Sequence, residues 1–291
     1  MLRTILLLSI FLIGLQAYGQ RIKPPFLTEH NKKWVDSIFQ TLTLEEKIGQ
    51  LLLPRGNYSG KPHDTAQLKQ WVKDYKIGGI VFFASNPTTQ VTITNELQAL
   101  SRVPLLIGQD FEWGVGMRLD STDRFPYAST IGAMKGNEHL IEEMGKEVAR
   151  QCKRIGVHIN YAPVVDVNNN PNNPVINFRS FGSDKYQVTA KGLAYMKGMQ
   201  SQGLLCTAKH FPGHGDTDAD SHYALPVINH DKKRLHDIEL YPFRQLIDQG
   251  ISGIMTAHLN IPALEPQSGL ASTFSKNIIT KLLKDELKFD G

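Results

Sequence analysis

The sequence predicts an α/β fold built on a parallel sheet. Three observations carry that prediction: strand-length apolar runs recur along the chain, helical patterns lie between them, and polar residues cluster just after the runs. The runs are Leu51–Leu53, Gly79–Phe83, Pro104–Ile107, Ile159–Val165, Leu204–Ala208 and Ile251–Ala257. Strands apolar on both faces belong to a parallel sheet covered by helices. Thr43-Leu44-Glu45-Glu46 reads as a helix start, with Thr43 as the cap and Glu46 three residues on. In Glu138–Ile155 the apolar residues Leu140, Ile141, Met144, Val148 and Ile155 recur at helical spacing, and Tyr186–Gln202 and Lys233–Gln249 look similar. The clusters behind the runs are Gln109-Asp110, Asp166-Val167-Asn168, Lys209-His210 and His258. A (β/α)₈ barrel and a doubly wound open sheet both gather their sites at strand C-termini, so periodicity alone leaves both open. Six strands are read. The last helical stretch, Lys276–Leu287, stops just before Phe289-Asp290-Gly291, where another strand is due.

Composition narrows the function classes. The chain has 291 residues, 41% hydrophobic and 21% charged, which fits a globular protein and argues against a disordered or fibrous one. A net charge of +4, with no Lys/Arg run, gives no footprint for nucleic acid. Met1–Gln20 reads as a secretory signal: Arg3 is the positive end, Ile5–Gly14 is almost unbroken apolar, and Ala17 and Gly19 are the small residues before cleavage. Residues 1–19 are thus expected to be removed on export, most simply to a periplasm, and no later segment is long and apolar enough to cross a bilayer. Two cysteines, Cys152 and Cys206, make neither a disulfide framework nor a four-thiolate zinc site. Cys206 sits in an apolar run and reads as a buried inert thiol, with a single bridge left open.

The densest set of ionisable groups is the segment from Lys209 to His222, KHFPGHGDTDADSH, which follows a strand and is broken by Pro212, Gly213 and Gly215. It is a loop, not a helix. Three readings compete. A metal site could draw on His210 and His214 with Asp216 or Asp220, but the His-x-x-x-His pair shares one face only on a helix. A structural reading, in which the polar groups satisfy one another, suits His214, Asp216 and Thr217. A catalytic acid/base reading suits Asp220 and His222: two residues apart, in an extended loop, they point to the same side. A carboxylate bonded to an imidazole fixes its tautomer and makes it a proton shuttle near neutrality.

These residues carry a resemblance. Lys209–Thr217 (KHFPGHGDT) followed by Asp220-Ser221-His222 resembles the N-terminal barrel of glycoside hydrolase family three, in particular its β-N-acetylglucosaminidase branch. Leu42–Leu52 resembles the family's opening helix. Asn160–Asn168 with Asn173–Gly182, Ile254–His258 and Leu282–Gly291 resemble further family segments, so nearly all of residues 20–291 is covered. The resemblance implies a (β/α)₈ TIM-type barrel, incomplete at the C-terminus in this chain. It implies His222 as general acid/base paired with Asp220. It also implies Lys209, His210, Arg179, Asp110 and Arg118 as contacts to the sugar bound at the point of cleavage. The match is imperfect at Asp110-Phe111-Glu112-Trp113-Gly114, where the family shows Asp-Gln-Glu-Gly-Gly. Structural alternatives stay open: Arg179 as a buried cation paired with Asp166 or Asp184, Asp110 as a loop cap, and His158 and His258 as core histidines.

The implied activity is retaining removal of β-linked N-acetylglucosamine from peptidoglycan fragments or chito-oligosaccharides, with no metal or organic cofactor. In the resembled family the nucleophile is an aspartate a few residues after a Phe-Asp-Gly like Phe289–Gly291. It is therefore expected beyond Gly291, in a longer protein with room for a further C-terminal domain, and Asp290 is not given the role. The alternatives are a β-glucosidase of the same family, which has no need of the Asp220/His222 pair, and a sugar-binding remnant that does not cleave.

Overall fold

The computed structural model describes residues 21–27, 32–56 and 65–291. The expected signal segment, 1–19, lies outside the described residues. Five parallel strands form one sheet: β1 (Gly79–Phe82), β2 (Leu106–Gln109), β3 (Ile159–Asn160), β4 (Leu205–Phe211) and β5 (Gly253–Thr256). Ile80 pairs with Ile107, Gly108 with Ile159, Asn160 with Cys206, and Ala208 with Ile254.

The strands lie side by side in chain order, and this resolves the choice between the two architectures. A doubly wound sheet reverses its order at a switch point. A sheet that always steps the same way, with right-handed crossovers, puts every helix on one face and curls away from it. The architecture is that of a TIM-type barrel.

Between the strands run helices α1 (Pro87–Leu100), α2 (Glu138–Arg154), α3 (Lys185–Ser201) and α4 (Leu240–Asp248). Their starts follow from the residues that precede them. Asn86 accepts from the amides of Thr88 and Thr89, with Pro87 in the first turn, and Asp184 accepts from those of Tyr186 and Gln187. Thr43 and Glu46 form the expected reciprocal cap of helix Leu44–Gly49. Helices α2 and α3 press together where both carry glycine. A Cβ on Gly198 would lie 2.1 Å from the Glu142 carbonyl oxygen, and one on Gly145 would lie 2.6 Å from that of Tyr195. The main core joins strand residues Ile80, Phe82, Ile107, Ala208 and Phe211 to Val148, Tyr195, Met199, Phe243 and Leu246 of the helices. Cys152 and Cys206 are both buried and free, so no bridge joins them, and burial pushes both thiols well up.

Two expected strands differ from what the structure shows. Leu51 and Leu52 donate to the carbonyls of Ile48 and Gly49 and so complete a helix exit. The chain meets β1 only afterwards, where Val81 donates to Pro54 and Gly56 to Val81. In Ile159–Val165 only the first two residues form a strand. Pro163 has no amide to give, and Val164 makes a single bridge to Lys209.

Candidate active site

The C-terminal ends of β2 and β4 bring the predicted sugar contacts together. In an even strand Lys209 and His210 would face opposite sides. Here the register slips, with Lys209 against Met255 and Phe211 against Thr256, so that His210 is the additional residue of a bulge and both side chains reach the site. Lys209, 2% exposed, places its Nζ 2.7 Å from Asp110 Oδ1 and 2.7 Å from Glu112 Oε1. Arg118 Nη2 donates to Asp110 Oδ2 at 2.9 Å. Arg179 grips Glu112 with both arms of its fork, Nε to Oε2 at 2.9 Å and Nη2 to Oε1 at 2.7 Å. The same Nη2 lies 3.3 Å from His210 Nε2, and His210 Nδ1 lies 2.7 Å from Asp166 Oδ2. Asp166, fully buried, also accepts from the backbone amides of His210 and His214.

These contacts settle the state of His210. Asp166 can only accept, which puts the proton on Nδ1, and Arg179 can only donate, which requires a lone pair on Nε2. The ring is neutral. Burial pulls its pKa down, Asp166 pulls it up, Arg179 and Lys209 push down again, and the net direction is down. Burial alone would raise the pKa of Glu112, but Lys209 and Arg179 outweigh it and hold the carboxyl well below the usual range. Asp110 is lowered against its own burial by Lys209 and then Arg118, and Asp166 is lowered against its burial by His210 and His214. Five of the predicted residues, Asp110, Arg118, Arg179, Lys209 and His210, thus belong to one network.

Arg179 is paired, but with Glu112 and not with Asp166 or Asp184; Asp184 is occupied in capping α3. The sequence reasoning gives Glu112 no role, and names Asp166 only as a strand-end residue and as one possible partner of Arg179. Glu112 stands two residues after Asp110, and Asp166 follows the Ile159–Val165 run. In both cases an acid just past a strand is the available signal.

The predicted pair forms. Asp220 Oδ1 accepts from the backbone amide of His222 at 2.9 Å and lies 2.7 Å from its Nδ1. That amide bond and the imidazole hold the Asp220 carboxyl low. The pair lies outside the network: the His222 side chain is 76% exposed, and among the described residues no hydrogen bond or ion pair links either side chain directly to Asp110, Arg179 or Lys209. The connection is indirect, from Ser221 Oγ to His214 Nε2 at 3.0 Å and from His214 N to Asp166.

The rest of the loop is structural as read. His214 Nδ1 meets Thr217 Oγ1, and Asp216 is bonded to His230 and approached by Arg234. The imagined metal set of His210 and His214 with Asp216 or Asp220 is not assembled. Among the described residues, Asp216, His230 and Glu239 do have ligand atoms within 4.8 Å of one another, and Arg234 reaches both Asp216 and Glu239 to supply the positive charge. His158 and His258 are exposed, not core residues: His158 Nδ1 accepts from the amide of Ile107, and His258 Nδ1 meets Thr273 Oγ1.

Comparison with known proteins agrees with this geometry. Residues 43–291 match the glycosyl hydrolase family 3 N-terminal domain. The β-hexosaminidase A of Pseudoalteromonas piscicida is 36% identical over 285 residues, covering 86% of this chain and 48% of that protein. A glycoside hydrolase family 3 β-N-acetylglucosaminidase from Paenibacillus sp. str. FPU-7 superposes with a TM-score of 0.77 at 38% identity, covering 86% of this chain and 48% of that one. A β-glucoside phosphorylase, BglX, bound to 2FGlc, superposes with a TM-score of 0.83 at 27% identity over 93% of this chain and 49% of its own. The chain spans about half the length of these relatives. With the strand-end network and the matched residues taken together, the chain belongs to glycosyl hydrolase family 3, through that family's N-terminal domain.

Proposed function

We propose that this chain supplies the sugar-binding floor and the acid/base of an exported retaining β-N-acetylhexosaminidase. Its substrates would be β-linked N-acetylglucosamine units of peptidoglycan fragments or chito-oligosaccharides. The observation that carries the reading is the Asp220–His222 pair, closed at 2.7 Å on the loop that follows the Lys209–His210 strand end. Asp220, acting only as an acceptor, keeps the His222 proton on Nδ1, which leaves Nε2 to exchange protons with the substrate.

The floor has capacity left for hydroxyl groups. Lys209 spends two of its three N–H bonds on Asp110 and Glu112, and each Asp110 oxygen, with one donor bound, keeps a lone pair. In the first step a carboxylate, expected past Gly291, attacks the anomeric carbon. The glycosidic C–O bond breaks, and the departing oxygen takes a proton from His222. In the second step a water oxygen attacks the glycosyl-enzyme, its proton passes to His222, and the carboxylate leaves; configuration is retained. The apolar run and small residues of Met1–Gln20 support export.

The test is His222→Ala in the full protein. Hydrolysis of an N-acetylglucosaminide with a poor leaving group should fall by about 10²–10⁴, the range for loss of a general acid, and that of an activated aryl substrate by less. Equal rates for variant and parent on both substrates would reject the assignment. The likeness to the β-glucoside phosphorylase favours a second reading, a site for β-glucosides. Nitrophenyl N-acetylglucosaminide and nitrophenyl glucoside, compared on one preparation, separate the two.

A further inference from the structure

Three aromatic rings meet on segments that continue from the charged network. Trp113 follows Glu112 in the chain and Phe178 precedes Arg179, so the two segments that deliver the Glu112–Arg179 ion pair also deliver two of the rings. Tyr127, at the start of helix Ala128–Gly132, completes the group. The ring centroids lie 4.6 Å apart for Tyr127 and Phe178, 4.9 Å for Trp113 and Tyr127, and 5.9 Å for Trp113 and Phe178. Tyr127 is 44% exposed and Phe178 42%, whereas Phe82, Phe111, Phe211 and Phe243 are fully buried. The indole Nε1 of Trp113 is buried with no hydrogen-bond partner among the described residues. Two half-exposed rings packed on a half-buried indole, on segments continuous with the charged floor, are more than stray exposed side chains, which are normally scattered singly.

From this continuity we infer that Trp113, Tyr127 and Phe178 form a stacking platform for a second pyranose ring of the substrate, adjoining the sugar held by Asp110 and Lys209. The inference rests on the sugar-site reading above and extends it from one ring to two. A pyranose is amphiphilic. Its hydroxyl edge calls for charged and polar groups, which the network offers, and its C–H faces call for flat apolar surface, which the rings offer. Ligand sites combine aromatic walls with a few placed polar groups in this way. Stacking reads the face of the ring and not its substituents, so the platform selects oligosaccharide length more than sugar identity.

The experiment is calorimetric titration of the full protein, carrying His222→Gln to slow turnover, with N-acetylglucosamine and with triacetylchitotriose. Glucose and cellotriose form a parallel series. The trimer is expected to bind at least about tenfold more tightly than the monosaccharide. Phe178→Ala and Trp113→Ala should each weaken the trimer about tenfold, about 1.4 kcal/mol, and leave the monosaccharide unchanged. Trp113→Phe should restore most of the loss. Phe178 is exposed enough for its truncation to leave the fold intact, so the test does not depend on the Trp113 variant folding. A trimer bound no better than the monosaccharide in both series, or trimer affinity unmoved by Phe178→Ala, overturns the platform. If only the glucose series binds, with the same length dependence and the same loss in the variants, the platform stands and the N-acetylglucosamine reading falls.

Discussion

Consider replacing Glu112 by Gln, which has nearly the same shape and no charge. The carboxylate is 3% exposed and takes three charge-assisted hydrogen bonds, two from Arg179 and one from Lys209. Removing one member of a buried pair costs about 3–5 kcal/mol, because the partner is left as an uncompensated buried charge. Lys209 keeps Asp110 at 2.7 Å, so the loss falls mainly on Arg179, whose side chain is 19% exposed and can recover some hydration. The amide oxygen of Gln still accepts, but its NH₂ faces a donor. The expected destabilisation is about 2–3 kcal/mol for Glu112→Gln, on the scale of one charged hydrogen bond lost, and about 3–5 kcal/mol for Glu112→Ala. Urea unfolding at pH 7 measures it as a shift in midpoint at constant slope. The pH dependence gives an independent check. A carboxyl held below its ordinary 4.5 contributes stability that is complete above 4.5 and lost as pH falls through the lowered value. The Gln variant should therefore lose less stability than the parent on acidification below 4.5. A variant within about 0.5 kcal/mol of the parent, the usual scatter for neutral surface changes, with the same acid profile, would refute the claim that charge holds this cluster together.

Three further outcomes follow, two from the same network and one from a helix cap. Asp166→Ala leaves the His210 and His214 amides without their buried acceptor, at about 1–3 kcal/mol for each group, and frees the His210 ring; urea unfolding and a histidine proton NMR titration read the two effects separately. In the parent, His210 is held neutral with its pKa below 6.5, so the unfolded chain takes up the proton first, and His210 should contribute a loss of stability that begins as pH falls through 6.5; His210→Asn should remove that part of the slope. Thr43→Ala removes the side-chain half of the reciprocal cap and should lower stability by about 1 kcal/mol, while Thr43→Ser should keep most of it.

The parts of the fold that were legible in the sequence are those where one residue type has one physical use. Thr43 with Glu46 marks a helix start, the apolar spacing of Leu140, Ile141, Met144 and Val148 marks a helix face, and uninterrupted apolar runs mark buried strands. Helix α1 was missed because its buried face holds Gln90 and Thr94 beside Ile93 and Leu97, which blurs the apolar period, although Asn86-Pro87 announces its start. Bulges leave no periodic trace, so the joint use of Lys209 and His210 came from the motif and its reason from the register. Glu112 was passed over, and Asp166 was matched with Arg179 instead of His210, for a related reason. What makes them site residues is the side chain each one holds, and Arg179 and His210 lie 67 and 44 positions away along the chain. A pairing at that distance belongs to the folded structure, and the sequence offered only an unexplained acid after each strand.

The network also bears on the proton donor of the proposed reaction. Its three acids, Asp110, Glu112 and Asp166, are matched by three cations, Arg118, Lys209 and Arg179, with His210 neutral. Such a floor directs donors and acceptors at a ligand without a net field, which suits an uncharged polyol and not a phosphate, for which uncompensated cations are the usual device. The balance has a chemical consequence. All three carboxyls are held below their ordinary values and the one imidazole is held neutral, so none of these four groups carries a transferable proton near pH 7. In the proposed reaction the glycosidic oxygen leaves with a proton, and that proton is assigned to a group other than these four. In the proposed function that donor is His222 of the Asp220–His222 pair, whose loop is tied through Ser221 and His214 to the acid that fixes His210.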